Sequence, residues 1–507
     1  MAVYPAGSLN LTAQVVPDTA VNVIPPQTRN LNGVPTNGIG IVGTASFGPK
    51  NTPVVVGSYA DYVGVFGNLV NRKYDMGTHV ATAHKQGANS FVCVRVTDGT
   101  DVAASVAILA TCLTVTAAYT GSAGNSIKVD IGPGAKPSTF RAVVSMPGAV
   151  TEVFDNIAGS GNALWVAMAA AINNGTDLRS KSALVTATAG AGTTAPATAT
   201  YSLASGTDGT TTINDATLVG LDNNPGTGMY ALKAQPNASI LVLADTDTTS
   251  SWAGQLAFAK AESFFLILTG PAGQAITAAV TAKNTAGIDD ASAKVMFGDW
   301  IQWQDPVNKS LRLISPQGFV AGRYANLSIE QSGLNKPIYD IVGTQKTNGL
   351  SSASYSTAEL QTLFNAGIDV ITNPVPGGNY FGLRGGVNAS SNPNIKGDEY
   401  TRQTNYIAQT ISRGTGIYVG ELINQTTARN AESTLNSFFA NMLQTGQLAL
   451  GLDGSRPYKV TCDVSNNPQS RTALGYLTAD VQVRYQGVVR FFIVNLEAGA
   501  SVTIIER

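Results

Sequence analysis

The sequence predicts a multidomain α+β, α/β chain that carries a β-rich insertion and a strand arm at each end. Three observations lead there. Between residues 211 and 385, apolar strands at 240 to 244, 264 to 269, 295 to 297 and 368 to 372 alternate with helical stretches at 251 to 262, 274 to 286 and 356 to 366, the order of a βαβ layer. Between 97 and 210 the composition shifts to Gly, Ala, Thr and Ser, with alternating segments at 113 to 117, 126 to 131, 139 to 145 and 183 to 188. Both ends alternate apolar and polar residues, Leu9, Leu11, Ala13 and Val15 at one and Val502 and Ile504 at the other.

In chain order, residues 8 to 16 read as a half-buried strand, with Asn10, Thr12 and Gln14 opposite the apolar set. Pro17, Pro25, Pro26 and Pro35 follow and favour extended backbone, so this strand is either tethered outside the core or an edge strand of the chain's own sheet. Residues 38 to 67, GIGIVGTASFGPKNTPVVVGSYADYVGVFG, come next. Gly38, Gly40 and Gly43 spell G-x-G-x-x-G, but they lie inside a strand, and Gly48, Pro49 and Pro53 leave no helix N-terminus behind them for a pyrophosphate. Ser58 and Asp61 stand at capping spacing before a short helix that Gly67 stops. A second helix is expected at 75 to 87 and a strand at 91 to 96. His79 and His84 are five apart, which places them on different helix faces and speaks against metal ligation.

Charge is the odd feature of the composition. Asp, Glu, Lys and Arg make up 12% of the 507 residues, against about 25% in an average globular protein. Such a polar but weakly charged surface fits a subunit packed against copies of itself, and secreted β proteins share it. The net charge of -1 gives no nucleic-acid footprint. Cys93, Cys112 and Cys462 lie far apart and form no C-x-x-C, so neither a disulfide framework nor a zinc site is indicated, and a reducing compartment is the simpler reading. No apolar h-region precedes the first basic residue, Arg29, which argues against a Sec-type signal peptide, and no apolar run approaches the ~20 residues of a spanning helix.

Catalysis lacks a constellation. G-x-S-x-G, H-E-x-x-H and Walker patterns are absent from the sequence. Asp245-Thr246-Asp247 has no Gly three residues on and no closing Glu, so it is not a calcium loop. Asp299, Asp305, Asp340 and Asp369 are scattered without paired spacing and are expected to serve caps and turns. Ser356 and Glu359 form a capping box and Gly367 a stop.

The C-terminal part begins with a helix from about 398 to 413 and a strand at 416 to 419. The cleanest helix follows at 427 to 445, with Ala428, Ala431, Leu435, Phe438, Phe439, Met442 and Leu443 on one stripe, a cap at Thr426 or Thr427 and a stop at Gly446. Strands are expected at 459 to 463, through Val481, Val483 and Tyr485, at 488 to 494 (VVRFFIV), and at 501 to 506.

Several of these stretches together resemble the sheath proteins of contractile tails. They are IVGTA (41 to 45) with its Gly48-Pro49 corner and Phe66-Gly67 end, Arg95-Val96, GSAGNSIKVDI (121 to 131), TEVFDNI (151 to 157), YSLASGTDG (201 to 209), SPQGFVAGRYA (315 to 325) and CDVSNN (462 to 467). The resemblance implies a mixed-sheet core built from N- and C-terminal parts. Its segments would be an arm and linker at 1–37, the first part of the core at 38–96, the insertion at 97–210, an α/β domain at 211–385, the C-terminal core at 386–496 and an arm at 497–507. It further implies a subunit with no cofactor and no catalysis, stacking as hexameric rings around a tail tube that contraction drives through the host envelope. Partners would be other copies, the tube protein, and baseplate and terminator proteins, with no nucleic acid and no membrane insertion. The place would be a virion tail or a related injection particle, assembled in the bacterial cytoplasm. Leu9, Leu11, Ala13, Val15, Val502 and Ile504 would be exchanged arms, and Arg429, Glu432 and Asn436 would face the tube. Two departures bear on the arms: the opening shows only Val3-Tyr4-Pro5 of the usual pattern, and Tyr485-Gln486-Gly487 stands where many sheaths carry a Pro-rich turn. A secreted or surface-layer-like β protein and a nucleotide-dependent enzyme remain the alternatives from other classes.

Overall fold

The computed structural model describes residues 31–346, 353–496 and 498, together with the backbone strands Ala2–Tyr4 and Ala20–Asn22, which pair in parallel. The chain divides into two compact units, residues 34–406 and residues 1–33 with 407–507. The expected start of a C-terminal core at 386 falls within the first of them. The expected strands at 8 to 16 and 501 to 506, and with them Leu9, Leu11, Ala13, Val15, Val502 and Ile504, lie outside the described residues.

Residues 34–406 are built on a seven-stranded sheet. From one edge the order is Ile368–Asp369, Ala293–Met296, Phe265–Thr269, Ile240–Leu243, Ile39–Gly43, Phe91–Arg95 and Val54–Val56. Every neighbouring pair is parallel except the last. The sequence explains why: IGIVG, ILVL and FLILT are continuous apolar runs, which only a sheet covered on both faces can bury. Alternate residues divide between the faces. Ile39, Ile41, Val242, Phe265 and Ile267 pack with helices Met76–Lys85 and Gln317–Ala325, while Val42, Leu241, Leu243, Leu266 and Leu268 pack with Trp252–Glu262, Ile276–Thr285 and Thr357–Asn365.

The glycines of the G-x-G-x-x-G run serve this packing. A Cβ on Gly38 would stand 1.6 Å from Asn237 O, and one on Gly43 would stand 2.9 Å from Tyr74 O. Close approach also explains the Ala-Gly pair of SPQGFVAGRYA, because a Cβ on Gly322 would meet the Ala83 backbone at 2.5 Å.

The insertion forms an antiparallel four-stranded sheet (Lys128–Pro133, Thr139–Ser145, Glu152–Ala158 and Ala199–Ser202) and a three-stranded one (Ser105–Ile108, Leu113–Ala117 and Val185–Ala189). It also contains the helix Gly161–Asn174, which a β-rich reading misses: its run of alanines blunts the apolar period, although Leu164, Trp165, Met168 and Ile172 form a buried stripe. These side chains join Phe154, Val115 and Ile131 in a core of the insertion's own. The root is pinned. Arg95 donates to Gly48 O (2.8 Å) and Thr120 O (2.7 Å), Asp98 accepts from Thr212 N (2.9 Å), and Arg72 meets Asp208 at 2.5 Å.

In the second unit, the helix Asp398–Thr415 continues past residue 406 and ends in a 3-10 turn, Gly416–Tyr418, where a strand was expected. Gly420, with a φ of 94°, turns the chain just beyond it. The helix Gln425–Gln444 is capped by Asn424, whose Oδ1 accepts from Thr427 N at 2.9 Å, rather than by Thr426 or Thr427. It buries Ala431, Leu435, Phe438, Phe439 and Met442, and Phe439 stacks on Tyr458 at 5.4 Å between centroids. Tyr458–Thr461 and Asp480–Val483 form an antiparallel pair. Residues 484 to 496, expected to continue as strands, form none.

Candidate assembly surface

A strand needs a neighbouring strand, and residues 488 to 496 join no sheet among the described residues. Val489, Phe491, Phe492, Ile493, Val494 and Leu496 are all highly exposed, Phe491 at 87%. Leaving six large apolar side chains in water along nine residues is costly at about 25 cal/mol per Å². In extended backbone, Val489, Phe491 and Ile493 fall on one side and Phe492, Val494 and Leu496 on the other, so the stretch suits burial on both faces. The two-stranded sheet just before it has a free edge on each strand among the described residues. Val419, Leu422, Leu452, Leu474 and Tyr476 of the same unit are also exposed.

The helix Gln425–Gln444 turns its uncovered side to solvent at Arg429, Asn430, Ser433 and Asn441. Arg429 is fully on that side. Glu432 and Asn436 are half-buried on its flank, and Glu432 lies close enough to Cys462 that, after burial itself, its charge is among the causes raising that thiol's pKa. The expected tube-facing set is therefore split: one residue is free to touch a partner and two border the helix's own packing.

In residues 34–406 the acidic residues singled out from the sequence are hydrogen-bonded or paired. Asp305 accepts from Val307 N and Asn308 N (2.8 Å each) and pairs with Arg312, a turn role as expected. Asp340 accepts from Trp303 Nε1 at 2.9 Å, and Asp299 from Lys346 N and Tyr355 Oη, a bridge between distant segments rather than the expected cap or turn. Burial raises the Asp299 pKa and raises that of Tyr355. His79 is buried with Nε2 3.1 Å from Asp245 Oδ1, and Asp247 pairs with Lys73 at 2.9 Å. No group of three or more potential metal ligands, and no helix long and apolar enough to cross a membrane, occurs among the described residues.

Asp369 differs from the expectation. It is neither a cap nor a turn residue but a fully buried carboxylate, 2.5 Å from Lys294 Nζ, with Asp398 3.8 Å from the same nitrogen. Asp398 also accepts from Ser332 Oγ (2.6 Å) and Tyr324 Oη, while Arg402 donates to Tyr324 O (2.8 Å) and Leu327 O (2.6 Å). Burial pushes the Asp398 pKa up, but the Lys294 charge and the hydroxyls outweigh it and hold the group below the usual carboxylate range. Sequence reading had no access to this cluster, because its members are spread from residue 294 to 402 and meet only through the fold.

No family model matches the chain, and no curated protein does. Solved structures do match. The sheath tail protein of Desulfitobacterium hafniense is 16% identical over 88% of this chain and 94% of its own, with a TM-score of 0.56. That of Listeria innocua is 13% identical over 87% and 90%, with a TM-score of 0.58. The PVC sheath of an extracellular contractile injection system, in its contracted state, is 13% identical over 96% and 99%, with a TM-score of 0.56. The fold of this chain is thus the sheath-protein fold, mixed α+β over nearly its whole length.

Proposed function

We propose that this chain, folded as the sheath proteins of contractile tails are, is a structural subunit of such a sheath: it polymerises around a tail tube and shortens to drive the tube through an envelope. The observation that carries the proposal is the exposed apolar stretch 488 to 496 beside a two-stranded sheet with free edges. Together they fit strand addition between copies, in which backbone hydrogen bonds supply the strength and side chains on both faces are buried by the neighbours. Links of this kind survive rigid-body motion, because at about 1 kcal/mol net per bond a handful of bonds holds each copy to the next.

The partners on this reading are other copies in rings, the tube, and baseplate and terminator proteins at the ends, in a virion tail or a related particle. The tube contact falls to the uncovered side of Gln425–Gln444, with Arg429 at its centre and Glu432 and Asn436 at its border. The role is structural, without catalysis. Leu9, Leu11, Ala13 and Val15 at one end and Val502 and Ile504 at the other complete the exchanged arms. The test is negative-stain microscopy of the purified chain and of versions lacking residues 1 to 16 or 500 to 507. The full chain should form tubes or sheets, and the shortened chains should stay folded and monomeric. A full chain that remains single particles under all assembly conditions would overturn the proposal.

A further inference from the structure

The Lys294 cluster brings together what an amide bond between two side chains requires. The amine is Lys294 Nζ and the acyl carbon is that of Asp369, both residues with 0% side-chain exposure and the nitrogen 2.5 Å from Oδ2. Held at that distance, two groups that would meet rarely in water are reactants within one molecule. The other carboxylate oxygen, Oδ1, accepts from Val370 N and Gly385 N at 2.8 Å each, two backbone donors fixed where negative charge gathers when a nucleophile adds to the carbon. A second carboxylate, Asp398, stands 3.8 Å from the same nitrogen, able to carry a proton. Tyr324 walls the site, its ring centroid 5.6 Å from Lys294 Nζ.

We propose that Lys294 and Asp369 condense spontaneously after folding into an intramolecular isopeptide bond, with Asp398 as the proton carrier. The atoms balance without a co-reactant. One proton passes from the Lys294 ammonium to Asp369 Oδ2, leaving an amine and a carboxylic acid. The amine nitrogen adds to the carboxyl carbon, and Oδ1 takes the negative charge between its two backbone donors. Asp398 removes a second proton from the nitrogen and returns it to Oδ2, which leaves as water while the C–N bond remains. The driving force is environmental. A buried ion pair keeps a desolvation cost that a neutral amide does not have, and the four buried charges of Lys294, Arg402, Asp369 and Asp398 become one opposed pair, Arg402 and Asp398, so neutrality is preserved. The product would close a covalent loop across the sheet strands Ala293–Met296 and Ile368–Asp369, beside the first residue of helix Asp398–Thr415, where a subunit under mechanical load gains from a bond that cannot dissociate.

The experiment is mass spectrometry of the intact, denatured full chain, followed by proteolysis. The expected result is a mass one water below that of the sequence and a branched peptide joining Lys294 to Asp369. Lys294→Arg should restore the full mass, which separates this bond from any other loss of water. Asp398→Asn should slow formation by about 100-fold. A wild-type chain of full mass that yields linear peptides with both residues unmodified overturns the proposal, even if the variants do not fold. Asp398→Asn that crosslinks at the wild-type rate removes Asp398 from the mechanism.

Discussion

In residues 34–406 the strands Ile240–Leu243 and Phe265–Thr269 are covered on both faces by helices of the same chain, whereas at 488 to 496 the same kinds of residue, Val, Phe and Ile, stand in solvent. Composition does not distinguish the two: VVRFFIV is as apolar and β-branched as ILVL or FLILT. What differs is whether the chain supplies the covering layer. The first region is finished by its own sequence. The second has a finished helix, Gln425–Gln444, with its apolar stripe buried, followed by residues 488 to 496, whose apolar side chains no described residue covers. In a single chain such a stretch is a liability, and in the proposed polymer it would be the joint.

This contrast can be broken by mutating one phenylalanine of each kind. Phe439→Ala removes a ring with no solvent exposure and should destabilise its unit by about 3 to 5 kcal/mol in denaturant unfolding. Phe491→Ser, by contrast, should shift the stability of the unassembled chain by no more than about 0.5 kcal/mol. Equal costs at the two positions would mean that residues 488 to 496 are already buried within the chain.

A second test concerns a price built into the finished region. Asp75 caps helix Met76–Lys85 by accepting from Thr78 N at 2.8 Å, and burial pushes its pKa up to about 6 against the opposing pull of Arg72. With the folded value raised above the unfolded one, the native state binds the extra proton between about pH 4 and 6, so this group's contribution to stability falls as pH rises through that window. Asp75→Asn keeps the cap and removes the titration. Relative to wild type it should be more stable at pH 7.5 than at pH 4.5, by up to about 3 kcal/mol, in melts at the two values. A difference that does not depend on pH would contradict the buried, titrating carboxylate.

The smallest expected change in stability is at Arg429. Arg429→Ala should alter the melting temperature negligibly while weakening assembly on tubes. Sedimentation of the variant with tube protein at wild-type levels would move the tube contact elsewhere.

Much of the first region was legible because its causes are local. The capping box Ser356 with Glu359 forms as its spacing requires, and the left-handed Gly67, Gly87 and Gly367 fall where helices end. The apolar stripe of Gln425–Gln444 was readable for the same reason. The insertion helix Gly161–Asn174 was not, since alanine fits strand-flanked and helical patterns alike until tertiary packing selects one. Residues 488 to 496 were legible as strand-forming but not as unpaired, because pairing depends on where edges lie in space. The Lys294, Asp369 and Asp398 cluster left no mark, as an Asp read alone looks the same whether it turns the chain or neutralises a buried lysine. For the surface proposed to bind the tube, the resemblance named Arg429, Glu432 and Asn436 together, yet only Arg429 is exposed, because helix flanks such as Glu432 and Asn436 are fixed by neighbours that the helix sequence does not contain.

The central claim is that residues 488 to 496 are completed by another copy of the chain. It is tested most directly by comparing wild type with Phe491→Ser combined with Ile493→Ser, which removes two of the three apolar side chains on one side of the stretch without touching any buried residue. Melting temperature and negative-stain images should be recorded for both. The account predicts equal melting temperatures for the unassembled chains, with tubes or sheets formed by wild type alone. Polymers of normal appearance from the double variant would contradict it.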